Sequence, residues 1–196
     1  MLLACALRDL GAEVDLLLAR VRLGAAPGVL RPRSHLLLRV REAGRTWHAD
    51  VGFGMGTLLE PIPFGPGEAH EQAGWRFRVV QDGPELVLQS VIEGKWSDLY
   101  GFPPEPVPQV DVEVINLWTS TYPASLFVTG LIVAAQSAEG VRTSLSDWRE
   151  LELAQSAPQA TRRTPVERED VPAILQERFG LGGFALGADG RLLRRS

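Results

Sequence analysis

Much of what would fix the class of this protein at a glance is missing from its sequence. A single cysteine in 196 residues excludes an internal disulfide framework. Charge of neither sign dominates: 20 Lys and Arg stand against 24 Asp and Glu, a net charge of −4, so no broad basic field is offered to nucleic acid. No apolar run reaches the length needed to cross a bilayer. The opening Met-Leu-Leu-Ala lacks the cationic segment of a secretory signal. These absences lead us to expect a cytoplasmic protein that binds neither nucleic acid nor membrane. The three histidines, His35, His48 and His70, have no Cys, Glu or second His at ligand spacing, so no metal is expected. Repeats and low-complexity tracts are absent too. The length is enough for a substantial core, as one large or two small domains.

What is present concentrates in RPRSHLLLRVREAGRTWHADVGFG, residues 31–54. His35 to Glu42 and Arg45 to Val51 read as strands joined by Ala43-Gly44, a two-residue hairpin turn. That turn pairs Glu42 with Arg45, and counting back along the ladder sets Asp50 opposite Leu37. Side chains alternate faces with period two, so His35 and Asp50 share a face as diagonal neighbours. With roughly 7–8 Å between the backbones, a carboxylate reaches an imidazole nitrogen. An aspartate that accepts the ring N–H fixes the tautomer and stabilises the imidazolium, leaving the other nitrogen to take a proton from a nucleophile. The plainer reading is that His35 opens a strand and Asp50 closes one.

The flanking residues favour the chemical reading. SHLLLRV, WHADVGFG and the PIPF at 61–64 resemble the arylamine N-acetyltransferase family, in which a histidine before an aliphatic strand is followed by a DVGFG-type segment. LLACALRDLGAEVDLLLARV, at 2–21, resembles the helix and strand that follow the family's nucleophile. KWSDLYGFPPEPVPQVDVEVINLWTSTYPASLFVTGL, at 95–131, is similar to its later signature, and VPAILQERFGL, at 171–181, to its closing helix. The resemblance implies an α+β fold: a mainly antiparallel β-barrel followed by a small α/β lid, with a cysteine-protease-like core and no counterpart of the family's N-terminal helical domain. It divides the chain into residues 1–11, the remnant of the helix after the nucleophile, 12–126, a barrel domain carrying His35 and Asp50, and 127–196, the lid.

One departure bears on the chemistry. The family's nucleophilic cysteine sits in an RGGYCFE-like motif at the start of the helix corresponding to Leu2–Leu10, and the sequence begins just past that point. Cys5, set in Leu3-Ala4-Cys5-Ala6-Leu7, reads as an inert core thiol. By alignment it lies about two helical turns beyond the nucleophile, on the order of 13 Å away, and not at a helix N-terminus that would favour thiolate.

Along the rest of the chain, Val14 to Leu23 reads as a buried strand, and Ala25 to Pro32 and Pro61 to Gly67 as turn-rich breaks. Trp75 to Val80 and Leu86 to Val91 form a hairpin about Asp82-Gly83-Pro84, and Pro103 to Pro108 ends the sheet. Val110 to Trp118 resembles a short helix leading to a turn closed by Pro123. Phe127 to Ala134 and Val141 to Leu145 read as strands, and Ala154 to Thr164 as a mobile loop. A last helix runs from about Arg168 to Phe179, stopped by Gly180, before a short basic tail, Arg194-Arg195-Ser196, read as a solvated end.

Two further groups of residues are candidates. Gly52 and Gly54, directly after Asp50, let backbone N–H groups approach a ligand without a Cβ in the way, or simply make a turn; with no lysine and no helix following, they are not a phosphate loop. The resemblance makes this the region beside the acyl site and Phe53 a wall of the arylamine pocket, although Phe53 reads equally well as core. Thr119, Ser120 and Thr121 have family counterparts near the mouth where coenzyme A enters, although such residues in turns usually cap themselves.

The resemblance implies ping-pong acyl transfer. A cysteine thiolate paired with His35 takes acetyl from acetyl-CoA and passes it to an arylamine or hydrazine nitrogen, or to an N-hydroxyarylamine, with Asp50 orienting His35. The family also includes amide synthases that close macrolactams. Two other readings stand beside it: a catalytically inactive module acting through binding or a partner, and a homo-oligomer held by barrel surface that the helical domain otherwise covers.

Overall fold

Leu16 to Ala19, in the middle of the segment Glu13–Val21, are buried on both faces, which is why four apolar residues run in succession there rather than alternating with polar ones. In a computed structural model, which describes residues 1–26 and 28–194, this segment is strand β1. Leu17 and Ala19 point into one core, while Val14, Leu16 and Leu18 point the other way, into a second core. On its second face β1 is covered by helix α1 (Leu2–Asp9) and by helix α2 (Gln109–Thr121), through Ala4 and Val112. Three residues, Leu10 to Ala12, join α1 to β1, so the helix folds back antiparallel along the strand it covers.

Beside β1 lie β2 (Arg33–Glu42) and then β3 (Arg45–Ala49) and β4 (Ile62–Pro63). On its other side lie β8 (Lys95–Phe102), β7 (Glu85–Ile92), β6 (Trp75–Asp82) and β5 (His70–Gln72). The eight strands form one sheet in the order β4-β3-β2-β1-β8-β7-β6-β5, with every described pair antiparallel. The sheet curls until its ends meet. The Gln72 side chain, on β5, accepts from the N–H groups of Leu59 and Glu60 and donates to the Glu60 carbonyl, just ahead of β4. Its interior holds Leu17, Leu37, Phe77, Leu88, Leu99, Tyr100 and Phe102. The result is a nearly closed barrel.

Turn chemistry sets the registers. Ala43-Gly44, Ala73-Gly74 and Glu93-Gly94 each place two residues at positive φ between strand ends that pair directly. This is the mirror-image turn whose twist matches a hairpin. Ala43-Gly44 pairs Glu42 with Arg45, as the sequence suggested, and carries the ladder to Leu38 opposite Ala49.

A second, four-stranded sheet follows: β9 (Ile132–Gln136), β10 (Arg142–Ser146), β11 (Glu152–Ala157) and β12 (Ala160–Pro165), in the order β12-β11-β10-β9. Helix α4 (Val171–Phe179) covers it through Val171 and Leu175 against Leu145. Its C-cap, Gly180, is left-handed at φ 67°, as expected of a helix-stopping glycine. A short hairpin of β13 (Phe184–Leu186) and β14 (Leu192–Arg194) ends the described chain. Arg195 and Ser196 of the expected basic tail lie outside the described residues.

Three expectations need correction. Phe127 does not open a strand: Leu126–Thr129 is a helical turn, α3, because the Ser125 hydroxyl accepts from the Phe127 N–H at its N-cap, and β9 begins only at Ile132. Ala154 to Thr164 is not a loop but the β11–β12 hairpin, turning at Pro158-Gln159. Its exposed polar strand faces hide the alternation that a sequence reading looks for. Cys5 is exposed rather than core, because the face of α1 turned to β1 is made by Ala4 with Leu3 and Leu7. No helix among the described residues is long and apolar enough to cross a membrane.

Candidate functional site

His35 and Asp50 meet inside the barrel. His35 opens the buried part of β2 opposite Ala19, and Asp50 follows the last residue of β3. His35 Nε2 lies 2.7 Å from Asp50 Oδ2, with His35 9% and Asp50 4% exposed. The bond uses Nε2, so Nδ1 is the nitrogen left to take a proton. Asp50 is held from three more directions: its Oδ1 accepts the Gly52 N–H at 2.8 Å, its carbonyl accepts from the Thr57 hydroxyl at 3.1 Å, and its Oδ2 accepts from the Tyr100 hydroxyl at 2.7 Å. Burial by itself would raise the Asp50 pKa. The bonds from His35, Gly52 and Tyr100, with the charge His35 carries when protonated, outweigh it and hold the carboxyl below its ordinary range.

Tyr100 and His48 complete the cluster. Burial and the adjacent Asp50 carboxylate keep the phenol protonated, its pKa well above the usual value. His48 Nε2 lies 2.8 Å from the Tyr100 oxygen. Full burial drives the His48 pKa down to about 4, with Asp50 pulling it up and His35 pushing it down. The rings are mutually packed. Phe53 meets His35 edge-on at 5.1 Å between centroids and Tyr100 at 5.0 Å, and Tyr100 lies 4.8 Å from His35. An aromatic wall therefore holds the imidazole plane.

The glycines after Asp50 do other work than expected. The Gly52 N–H is directed at Asp50 itself rather than at a ligand. Gly54 sits at φ 77°, and a Cβ on Gly56 would come within 2.6 Å of the Phe53 ring. These two positions require glycine if Phe53 is to stay beside His35. Phe53 packs on the barrel core, as its plainer reading has it, and lies edge-on to His35.

Thr119, Ser120 and Thr121 end α2 instead of forming a turn. Their hydroxyls donate back to the carbonyls of Ile115, Asn116 and Leu117 in the preceding turn. No hydrogen bond among the described residues links them to His35 or Asp50. Cys5 stands exposed on α1, which covers the outer face of β1, while His35 points to the inner face. The two are not brought together.

Tyr100 and His48 are the members that the sequence did not announce. Along β3, His48 shares parity with Asp50, so alternation alone sets it on the His35 face; a metal-ligand search is the wrong test for a histidine whose partner is a phenol. Tyr100 depends on a β-bulge. The β7–β8 register runs Leu88 opposite Tyr100 and then Gln89 opposite Asp98, with Leu99 as the extra residue. Leu99 and Tyr100 consequently both face the barrel core, which regular alternation forbids.

The second sheet is tied to this end of the barrel. The Trp75 indole N–H donates to the Gly140 carbonyl at 2.6 Å, and the Arg142 guanidinium stacks on the Trp75 ring at 3.7 Å and donates to the Thr57 carbonyl. Burial without a carboxylate partner among the described residues pulls the Arg142 pKa down to about 10.

Comparisons with known proteins point to one family. The N-acetyltransferase family matches residues 1–183. An arylamine N-acetyltransferase of Mycolicibacterium smegmatis is 38% identical over 136 residues, covering 68% of this chain and 50% of that protein. One of Mycobacterium tuberculosis is 33% identical over 200 residues, covering 99% of this chain and 69% of that protein. The solved structure of Mycobacterium marinum arylamine N-acetyltransferase in complex with CoA superimposes with a TM-score of 0.84 at 32% identity, over 91% of this chain and 66% of that one. The chain thus spans between half and about two-thirds of the length of these relatives.

Proposed function

This chain belongs to the arylamine N-acetyltransferase family, and on that footing we propose that it serves acetyl transfer from acetyl-CoA to an arylamine, N-hydroxyarylamine or hydrazine in the cytoplasm. The observation that carries the proposal is the 2.7 Å bond from His35 Nε2 to an Asp50 carboxylate whose other contacts are already made. It fixes the neutral imidazole as the Nε2–H tautomer and turns the basic Nδ1 away from Asp50.

The nucleophile of this mechanism is a cysteine that these 196 residues do not contain. Because α1 runs antiparallel to β1, the segment ahead of Leu2 reaches toward the end of β1 that pairs with His35. A thiol there, at a helix N-terminus and beside an imidazole, is favoured as thiolate. His35 Nδ1 takes its proton; the thiolate attacks the thioester carbonyl of acetyl-CoA, and coenzyme A departs as a thiol with the proton that His35 returns, which leaves the imidazole neutral again. An amine then attacks the acetyl-cysteine thioester, His35 takes the amine proton, and the cysteine thiolate leaves. Asp50 stays ionised throughout and steadies the imidazolium.

In this reading Phe53, with Gly52 and Gly54, walls the acceptor beside His35. Thr119, Ser120 and Thr121 line the coenzyme A mouth; that the Mycobacterium marinum relative was solved in complex with CoA supports coenzyme A as a ligand. Residues 1–11, 12–126 and 127–196 act as post-nucleophile helix, barrel and lid.

The test is acetyl transfer by the gene product that carries the cysteine. His35→Ala removes the base and lowers transfer by about 10²–10⁴-fold. Transfer undiminished in His35→Ala overturns the assignment. Stoichiometric acetylation and turnover by the 196-residue chain alone would instead show that the nucleophile lies within it.

A further inference from the structure

The barrel interior holds a histidine that acyl transfer does not use. His48 is completely buried, with Nε2 at 2.8 Å from the Tyr100 oxygen. Asp50 Oδ2 lies 2.7 Å from that same oxygen. A phenol has one proton to donate. When Tyr100 gives it to the carboxylate, the His48 contact is a hydrogen bond only if His48 Nε2 carries a proton of its own. When Tyr100 gives it to His48, the phenol turns a lone pair toward the carboxylate. The first arrangement makes two hydrogen bonds, one of them charge-assisted; the second makes one bond and one repulsive contact. His48 Nδ1 is out of solvent with no partner among the described residues, the setting for the ring nitrogen without a proton.

We propose that His48 is a positioning residue: its Nε2–H, donated to Tyr100, commits the phenol proton to Asp50 and so steadies the carboxylate that orients His35. The proposal rests on the reading of His35 and Asp50 as base and orienter, but the chain of donors is open to test without turnover. The groups around His48 include Tyr100, Asp50 and His35, with Arg39 directly opposite on β2, and its ring packs against Phe64 and Phe102. Burial keeps His48 neutral near pH 7, so the tautomer is constant where the enzyme would work. Hydrogen bonds in series polarise one another, so loss of the His48 donor weakens the Tyr100 bond to Asp50 and leaves the carboxylate to draw harder on His35.

Long-range proton–nitrogen NMR of the histidine rings reads the tautomer directly in the 196-residue protein. The expected result is a neutral His48 protonated at Nε2; a ring protonated at Nδ1, or at both nitrogens at neutral pH, overturns the proposal. The His35 Nε2–H resonance supplies a second reading. It moves downfield in His48→Phe, further in Tyr100→Phe, and returns toward its starting position in His48→Gln, whose amide N–H takes the place of Nε2–H. A resonance unmoved by His48→Phe, or one that Gln does not restore, overturns it. Shifts as expected with no acetyl transfer by the gene product that carries the cysteine would sink the catalytic reading and leave the donor chain standing; transfer by that product without the shifts would do the reverse.

Discussion

Asp50 accepts from His35, Tyr100 and Gly52 at once, and a side chain so fully committed tolerates little change. In Asp50→Asn an amide N–H must face one of those donors, and the buried clash releases the imidazole from its tautomer. Acetyl transfer is expected to fall by about 10²–10⁴-fold, read as kcat/KM for an arylamine; a loss under about tenfold contradicts the orienting role. His48 gives a stability signature instead. Its pKa drops from 6.5 to about 4 on folding, so the unfolded chain binds the extra proton. Its contribution is therefore complete above pH 6.5 and is lost as pH falls from there to about 4, a change of roughly 3 kcal/mol. The depressed Asp50 acts in the same direction at still lower pH, through and below its ordinary range. Urea unfolding across this window should show the slope for the native protein and a flatter one for His48→Gln; equal slopes contradict it. At this scale the sequence showed His35 and Asp50 because period-two alternation and a short turn are enough to place them. Tyr100 stayed hidden because its inward direction comes from an extra residue in β8.

Hairpins carry the positioning at the scale of elements. Ala43 occupies φ 50° ahead of Gly44, a conformation that costs an alanine about 1 kcal/mol or more relative to glycine and that asparagine tolerates better. Ala43→Asn is expected to raise stability by about 1 kcal/mol, measured by urea midpoint at an unchanged m-value, and to leave the His35–Asp50 pairing in place. A destabilised Ala43→Asn contradicts the turn assignment. Ala43-Gly44 was readable because strongly alternating strands flank it. Glu93-Gly94 and Ala73-Gly74 make the same turn, but β5 is three residues long and the start of β8 is only half-buried, so the pattern around them is weak. The β11–β12 hairpin was missed for the related reason that one of its strands is largely exposed.

For the whole molecule, the association of barrel and second sheet is the feature least visible in the sequence. It rests on side chains far apart along the chain: Arg142 stacked on Trp75, and the Trp75 N–H on the Gly140 carbonyl. Gly140 sits at φ 82°, and a Cβ there would come within 2.5 Å of the Ala73 carbonyl oxygen. Gly140→Ala is expected to destabilise the protein by about 1–3 kcal/mol and to raise hydrogen exchange at the β9–β10 strands ahead of the barrel strands. Uniform exchange across both sheets would show that the contact does not hold them together. Barrel closure was equally unreadable, since it comes from contacts distant along the chain, among them the Gln72 amide on the backbone of Leu59 and Glu60 and the packing of Leu58 and Ile62 with Trp75 and Phe77.

The central claim is that His35 and Asp50 serve a cysteine lying outside these 196 residues. Intact mass of the natively produced protein, before and after acetyl-CoA and again after an arylamine, tests it most directly. The account predicts a species heavier than 21.4 kDa that gains one acetyl group and gives it up to the arylamine. A 21.4 kDa species that never acetylates would contradict it.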